Sequence, residues 1–217
     1  SYMSTISDQI DALDFVDDWG NKLRFVFFVR ADQGMRQLFN SPIFLFNEYK
    51  KLFKIWQKQG HEFGWHPHFF KPDFSQETEI DNIVFDAKST LEAFSLADWQ
   101  ICSVRVGYCF MHDSLMAFFK NAGLKIDSTA LPGRKSDSPF FDWSRTIKHP
   151  YFPSKRDYQT PARNDSDKVG MLEIPFSVAK VKMPYDKEKG TRYLNVAFKE
   201  SVFTSMLKQM ENSNIIN

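Results

Sequence analysis

The sequence predicts one α/β domain over residues 1–217, built on a parallel sheet and closer to a distorted (β/α) barrel than to an open, doubly wound sheet. Three observations predict it. Short apolar runs rich in aromatic and β-branched residues alternate with segments of helical periodicity, and a crossover between parallel strands must carry a helix. Several helical segments stop at a glycine, the residue that best tolerates a helix C-terminus. A dinucleotide-binding glycine fingerprint, a phosphate loop and a Gly-x-Ser-x-Gly elbow are all absent, which favours the barrel.

The elements follow in order. Ile10, Leu13 and Val16 place a helix over residues 7–19, stopped by Gly20, and residues 23–29 (Leu-Arg-Phe-Val-Phe-Phe-Val) read as a buried strand. Leu45, Tyr49, Leu52, Phe53 and Trp56 share one helical face before Gly60. Residues 61–65 form the next strand. Ile80, Ile83, Val84, Ala87, Leu91 and Phe94 mark a helix, residues 101–106 a strand, residues 114–121 a helix ending at Gly123, and residues 125–127 a short strand. Residues 132–168 are polar and aperiodic, a long functional loop or pair of loops. Residues 172–175 close as a strand at a proline, and residues 196–210 form the last helix.

Composition narrows the function classes. Lys and Arg total 28 against 27 Asp and Glu, and no like-charged block occurs, so neither nucleic acid nor an acidic membrane is expected as a partner. No apolar stretch nears the roughly 18 residues of a membrane span, and the N-terminal residues lack a secretion pattern. Two cysteines, Cys102 and Cys109, form no disulfide framework; each reads as a small buried residue, and a reducing, cytoplasmic setting is expected. The 23 Phe, 7 Tyr and 5 Trp serve a core first, although ring faces also pack on sugar C–H groups.

The most informative segment is Gly60-His61-Glu62-Phe63-Gly64-Trp65-His66-Pro67-His68. Side chains two apart in an extended segment point the same way, so His66 and His68 can converge on one divalent metal. Imidazole favours zinc or a similar ion. The pair sits at the C-terminal end of a strand, where α/β barrels place their sites. His61 precedes the strand and reads as structural.

This segment resembles the Gly-His-Glu-Ile-Gly-x-His segment of the polysaccharide deacetylases, which include chitin and peptidoglycan deacetylases. Val26-Phe27-Phe28-Val29 is similar to that family's Thr-Phe-Phe-Val strand, Val104-Arg105-Val106-Gly107 to its arginine motif, and Gly123-Leu124-Lys125-Ile126-Asp127-Ser128 to its Gly-Phe-x-Tyr-Asp-Ser segment. Glu173-Ile174-Pro175 is similar to a late family strand. The resemblance implies a distorted (β/α) barrel and a metal held by one Asp and two His, with His66 the first. Arg105 would hold the catalytic carboxylate by charge-assisted bonds.

The family's second histidine stands four residues after the first, where this chain has Phe70, so His68 must take its place through a different loop geometry. The Asp-Asp motif would precede Val26, with only Asp8 or Asp11 near; Asp17-Asp18 reads as a solvated helix end. The late histidine would lie past Asn217, so the barrel is expected to be incomplete at its ends. Asp32, a cap or a replacement acid, His112 and Asp142 complete the catalytic candidates, and Trp65, Tyr108 and Trp143 are the substrate-binding ones.

The leading expectation is a metal-dependent deacetylase that removes N-acetyl groups from a sugar or polysaccharide, its partner a carbohydrate substrate. The alternative is a catalytically inactive carbohydrate-binding domain on the same barrel; a third reading is another metal hydrolase, acting on an amide or a glycosidic bond. The oligomeric state is not legible.

Overall fold

The computed structural model describes residues 2–12, 16–71, 73, 75–195 and 197–212. In chain order the elements are α1 (Tyr2–Asp11), β1 (Val26–Arg30), α2 (Gln33–Phe39), α3 (Phe44–Glu48), α4 (Lys50–Lys58), β2 (Glu62–His66) and α5 (Ile80–Leu96). Then come β3 (Ser103–Val104), a 3-10 turn (Gly107–Cys109), α6 (Asp113–Asn121) and β4 (Ile126–Asp127). Two hairpins follow, β5 (Lys135–Asp137) with β6 (Phe140–Asp142) and β7 (Pro153–Ser154) with β8 (Asp157–Pro161), then a second 3-10 turn (Asp165–Asp167). The chain continues through β9 (Leu172–Glu173), β10 (Val178–Val181), β11 (Gly190–Tyr193) and α7 (Glu200–Asn212).

The expected α/β class with a parallel sheet is present. Strands β1, β2, β3, β4 and β9 form one five-stranded sheet, all neighbours parallel and in chain order. The order never reverses, so there is no switch point of the doubly wound kind; a sheet wound in one direction is how a barrel wall is laid down. The registers align Val29, Trp65, Val104, Asp127 and Glu173 side by side across the five strands. One step further on, alternation places Arg30, His66, Arg105, Ser128 and Ile174 on the opposite face, at the C-terminal strand ends.

The first of these faces is packed by helices through aromatic rings. Phe63 stacks on Phe53 of α4 at 4.3 Å and on Phe27 at 5.6 Å, and Phe46 meets Phe94 edge-on at 4.8 Å. Trp56, Trp65 and Phe119 are wholly or almost wholly buried. The high aromatic content therefore goes mainly into the core. A smaller apolar cluster joins Met206 and Met210 of α7 to Ala179 and Val181 of β10.

Several boundaries depart from the sequence reading. The first helix runs Tyr2–Asp11 rather than over residues 7–19, and Leu13 lies outside the described residues. Asp17 instead organises a turn, its carboxylate accepting Trp19 N, Asn21 N and Asn21 Nδ2. The helix expected through Leu45–Trp56 is two, because Tyr49 leaves helical geometry at φ −102, ψ 18. Helix α2 and the β10–β11 hairpin carry too little periodicity to be legible, and residues 132–168 contain two hairpins. Val196 lies outside the described residues and the last helix begins at Glu200. Cys102 is exposed, contrary to expectation, while Cys109 is half-buried.

Gly64 shows how tightly the inner face is packed. A Cβ there would fall 2.6 Å from both Phe28 Cδ1 and Ser103 Oγ, on the neighbouring strands. Gly64→Ala is expected to destabilise the fold by about 1–3 kcal/mol, read as a lower urea midpoint; unchanged stability would contradict close packing between β1, β2 and β3.

Candidate functional site

The row of residues at the C-terminal strand ends is joined by hydrogen bonds. The imidazole of His66 bonds through Nδ1 to the Arg105 carbonyl at 2.5 Å. Arg105 donates from Nε to the Ser128 carbonyl at 2.9 Å and from a terminal nitrogen to Ser128 Oγ at 2.7 Å, and Ser128 Oγ donates to the Ile174 carbonyl. The guanidinium carbon lies 4.3 Å from the Phe28 ring centroid and 4.5 Å from that of Phe176, a two-sided cation–π clamp. Arg105 was expected to hold a carboxylate. Its hydrogen bonds go to Ser128 instead, with the two rings packed on the guanidinium.

His66 and His68 converge. Their Nε2 atoms are 3.1 Å apart and their rings nearly perpendicular. A carbonyl acceptor requires the His66 proton on Nδ1, so His66 Nε2 is a lone pair and His68 Nε2–H donates to it. His68 Nδ1 is then a bare, buried nitrogen without a partner. Burial holds both rings neutral: it lowers the His66 pKa and, with the neighbouring His66 and Arg30 charges, brings His68 down to about 4.

The His68 position depends on glycine. Gly107 N donates to the Pro67 carbonyl at 2.7 Å, and a Cβ on Gly107 would fall 2.4 Å from the His68 ring. The next two residues, Tyr108 and Cys109, are left-handed at φ 56 and φ 55, a conformation uncommon outside glycine. This turn sets the Tyr108 ring edge-on to His68 at 5.1 Å, and Phe70 stacks on His68 at 5.4 Å while meeting Tyr108 edge-on at 5.8 Å. Tyr108 is 41% exposed and borders a groove of about 460 Å³ that also takes in Gln76, Thr78 and the exposed Phe140.

Asp32 caps α2, accepting Met35 N at 2.9 Å, and also accepts Arg30 Nε at 2.9 Å and His68 N at 3.1 Å. It is both the capping residue of the sequence reading and the carboxylate beside the histidine pair. The other candidates are used differently. His112 caps α6 through Ser114 N, and Asp142 accepts Ser144 N and Oγ, which lowers its pKa. Among the described residues, no hydrogen bond or ring contact joins either to the pair. Trp65 and Trp143 are fully buried, their indole N–H groups donated to the Ala31 and Cys109 carbonyls, so neither can face a sugar; Tyr108 alone of the three aromatic candidates is exposed. His61 is structural, its Nδ1 accepting Phe25 N.

Nε2 atoms 3.1 Å apart suit a shared cation, since two ligands each about 2.0–2.1 Å from zinc in tetrahedral geometry lie about 3.3 Å apart. The Arg105 carbonyl on His66 Nδ1 is the outer contact that orients a ligating imidazole. The donor set is nonetheless short of a closed site: among the described residues no group of three or more His, Cys, Asp or Glu is placed to hold a metal.

Sequence reasoning missed an acid pair. Asp127 and Glu173 are in register on β4 and β9, and both are fully buried. Thr129 Oγ1 donates to Asp127, and Ala130 N donates to Glu173 Oε1. Two adjacent buried carboxylates cannot both ionise, so the pair retains a shared proton, and desolvation raises the pKa of both. Each lies within a segment that resembles a family motif, but only the strand register brings them together.

The folded state keeps this proton to higher pH than the unfolded chain does. Stability therefore falls as pH rises above the ordinary carboxylate value of 4.5, by at most about 1.4 kcal/mol per pH unit. Glu173→Gln keeps a hydrogen-bonding side chain without the acid and is expected to flatten that fall. Urea denaturation at pH 5 and pH 8 checks it; an unchanged difference between the two would exclude the shared proton.

No protein-family model matches the sequence, and no curated protein matches it. Two solved structures are similar to it. One, from Parabacteroides distasonis, is of a protein assigned as a glycoside hydrolase/deacetylase, with a TM-score of 0.49 and 13% identity over 71% of this chain and 33% of that one. The other, from Mycobacterium smegmatis, is of a protein assigned as a polysaccharide deacetylase, with a TM-score of 0.44 and 15% identity over 96% of this chain and 56% of that one. The chain thus spans a third of the first and just over half of the second. Among the described residues no helix is long and apolar enough to cross a membrane.

Proposed function

We propose that this chain carries the site of a metal-dependent hydrolase that removes acetyl groups from an N-acetylated sugar. The observation that carries the reading is the convergence of two imidazoles, Nε2 to Nε2 at 3.1 Å, at the C-terminal end of an interior parallel strand. His66 and His68 would hold a divalent ion, zinc foremost, through those atoms, the His68 proton moving from Nε2 to its unpartnered Nδ1. When bound, the ion would polarise the acetamido carbonyl and acidify a water. The rest falls to the chain. Arg105 is a positioning residue, its carbonyl fixing the His66 proton on Nδ1. Asp32, steadied by Arg30, is the carboxylate at hand to take a proton, and the exposed Tyr108 ring borders the groove where a pyranose would lie.

The double variant His66→Ala/His68→Ala is expected to abolish zinc binding that calorimetry puts at about micromolar or tighter in the wild type, and with it acetate release from N-acetylglucosamine oligomers. Acetate release that survives His66→Ala unchanged would overturn the reading. Gly107→Ala, which drives a Cβ into the His68 ring, is expected to weaken zinc binding at least about tenfold without altering a ligand.

One observation favours a second reading, the inactive carbohydrate-binding domain. Both Asp32 oxygens are engaged, by Arg30, Met35 N and His68 N, which leaves the imidazoles without a free carboxylate. Glycan binding indifferent to chelator, without acetate release, would select it.

A further inference from the structure

The hairpin β7–β8 and the 3-10 turn after it enclose a groove of about 600 Å³ that shares no lining residue with the histidine site. Such a volume is typical of small-ligand clefts. Four of its lining residues are cationic, Arg145, Lys155, Arg156 and Arg163, against two acids, Asp157 and Asp167. In a chain whose whole net charge is +1, this is a concentrated positive patch.

The framework holding these cations is itself braced. Asp167 accepts Ser154 Oγ at 3.1 Å and Arg163 N at 3.2 Å, and Lys155 N donates to its carbonyl at 2.8 Å. Asn164 caps the turn by accepting Asp167 N, and Lys155 Nζ is tied to the Ser166 carbonyl at 2.7 Å. Arg145 pairs with Asp157 at 3.0 Å while remaining 62% exposed. The guanidinium groups of Arg156 and Arg163 make no hydrogen bond or ion pair among the described residues, yet both lie near enough to Asp167 to help lower its pKa. Two guanidinium forks with unspent donors, on a loop held by its own backbone, are what an oxyanion requires.

The two carboxylates narrow the ligand. A bare phosphate gains nothing from Asp157 and Asp167, whereas a sugar offers hydroxyl donors to the lone pairs that their loop contacts leave over, with Thr160 and Asn164 as further partners. No lining residue is aromatic, so a stacked base or a strand of nucleic acid has no platform. We propose that this groove binds a saccharide bearing a phosphate or carboxylate, its anion on Arg156 and Arg163 and its hydroxyls on the acidic side. The proposal does not rest on the metal reading. Its ligand is either a free sugar phosphate or an acidic residue within a glycan chain.

Calorimetric titration at low salt, with glucose 6-phosphate and a glucuronate oligosaccharide as probes, tests it. At least one should bind, glucose should not, and inorganic phosphate should bind about tenfold or more weakly. Arg156→Ala/Arg163→Ala should weaken binding at least about tenfold, while Lys51→Ala, an exposed cation elsewhere, should leave it unchanged; thermal unfolding of each variant confirms that it is folded. The preferred probe identifies the source, and either preference supports the site. Silence with both probes, affinity retained in the folded double variant, or phosphate matching the sugar phosphate would each overturn it.

Discussion

The parallel register of the five-stranded sheet is the constraint on which everything else depends. Pairing Arg30 with His66 and Trp65 with Val104 fixes which residues share a row, and a slip of one residue would turn every side chain to the opposite face. With the register as it is, Phe63 and Trp65 enter the helix-covered core, and His66, Arg105 and Ser128 meet at the strand ends. The close approaches at Gly64 and Gly107 lock it, because side chains of neighbouring segments occupy the space a Cβ would need.

Two polar systems sit on this frame with opposite demands. The row through His66, Arg105, Ser128 and Ile174 is joined by hydrogen bonds, with the Arg105 guanidinium held against the Phe28 and Phe176 rings. The Asp127–Glu173 pair one row back tolerates burial only by retaining a proton. Between them they hold the β3 and β4 ends in place. His68, by contrast, is fixed by packing between Phe70, Tyr108 and the Gly107 backbone, and its Nδ1 has no partner.

Arg30 and Asp32 show how one residue pair can serve fold and site together. The carboxylate starts a helix, anchors the His68 backbone and neutralises a neighbouring cation. Capping and catalytic candidacy were posed as alternatives for Asp32, yet the geometry puts the cap beside the imidazoles. The basic groove of β7–β8 is built differently, from one contiguous stretch of chain plus Arg145, and its frame is almost wholly local.

Much of the sheet was legible from the sequence. Runs such as residues 23–29 and helices such as α5 declare themselves by apolar periodicity, which depends only on neighbours along the chain. The histidine pair was legible for the same reason: two residues apart in a strand means one face. What lay beyond reach was set by contacts distant in sequence. Trp65 and Trp143 read as sugar platforms in the sequence but are fully buried in the fold, and of the catalytic candidates His112 caps α6 while Asp142 closes a turn onto Ser144. Asp127 and Glu173 stand 46 positions apart, and nothing in either motif signals that a parallel register sets them side by side. The sequence by itself determined the alternation of strands and helices and the facing imidazoles, because both follow from local periodicity; tertiary structure alone decided which polar groups were left free for function, because burial and pairing belong to the whole fold.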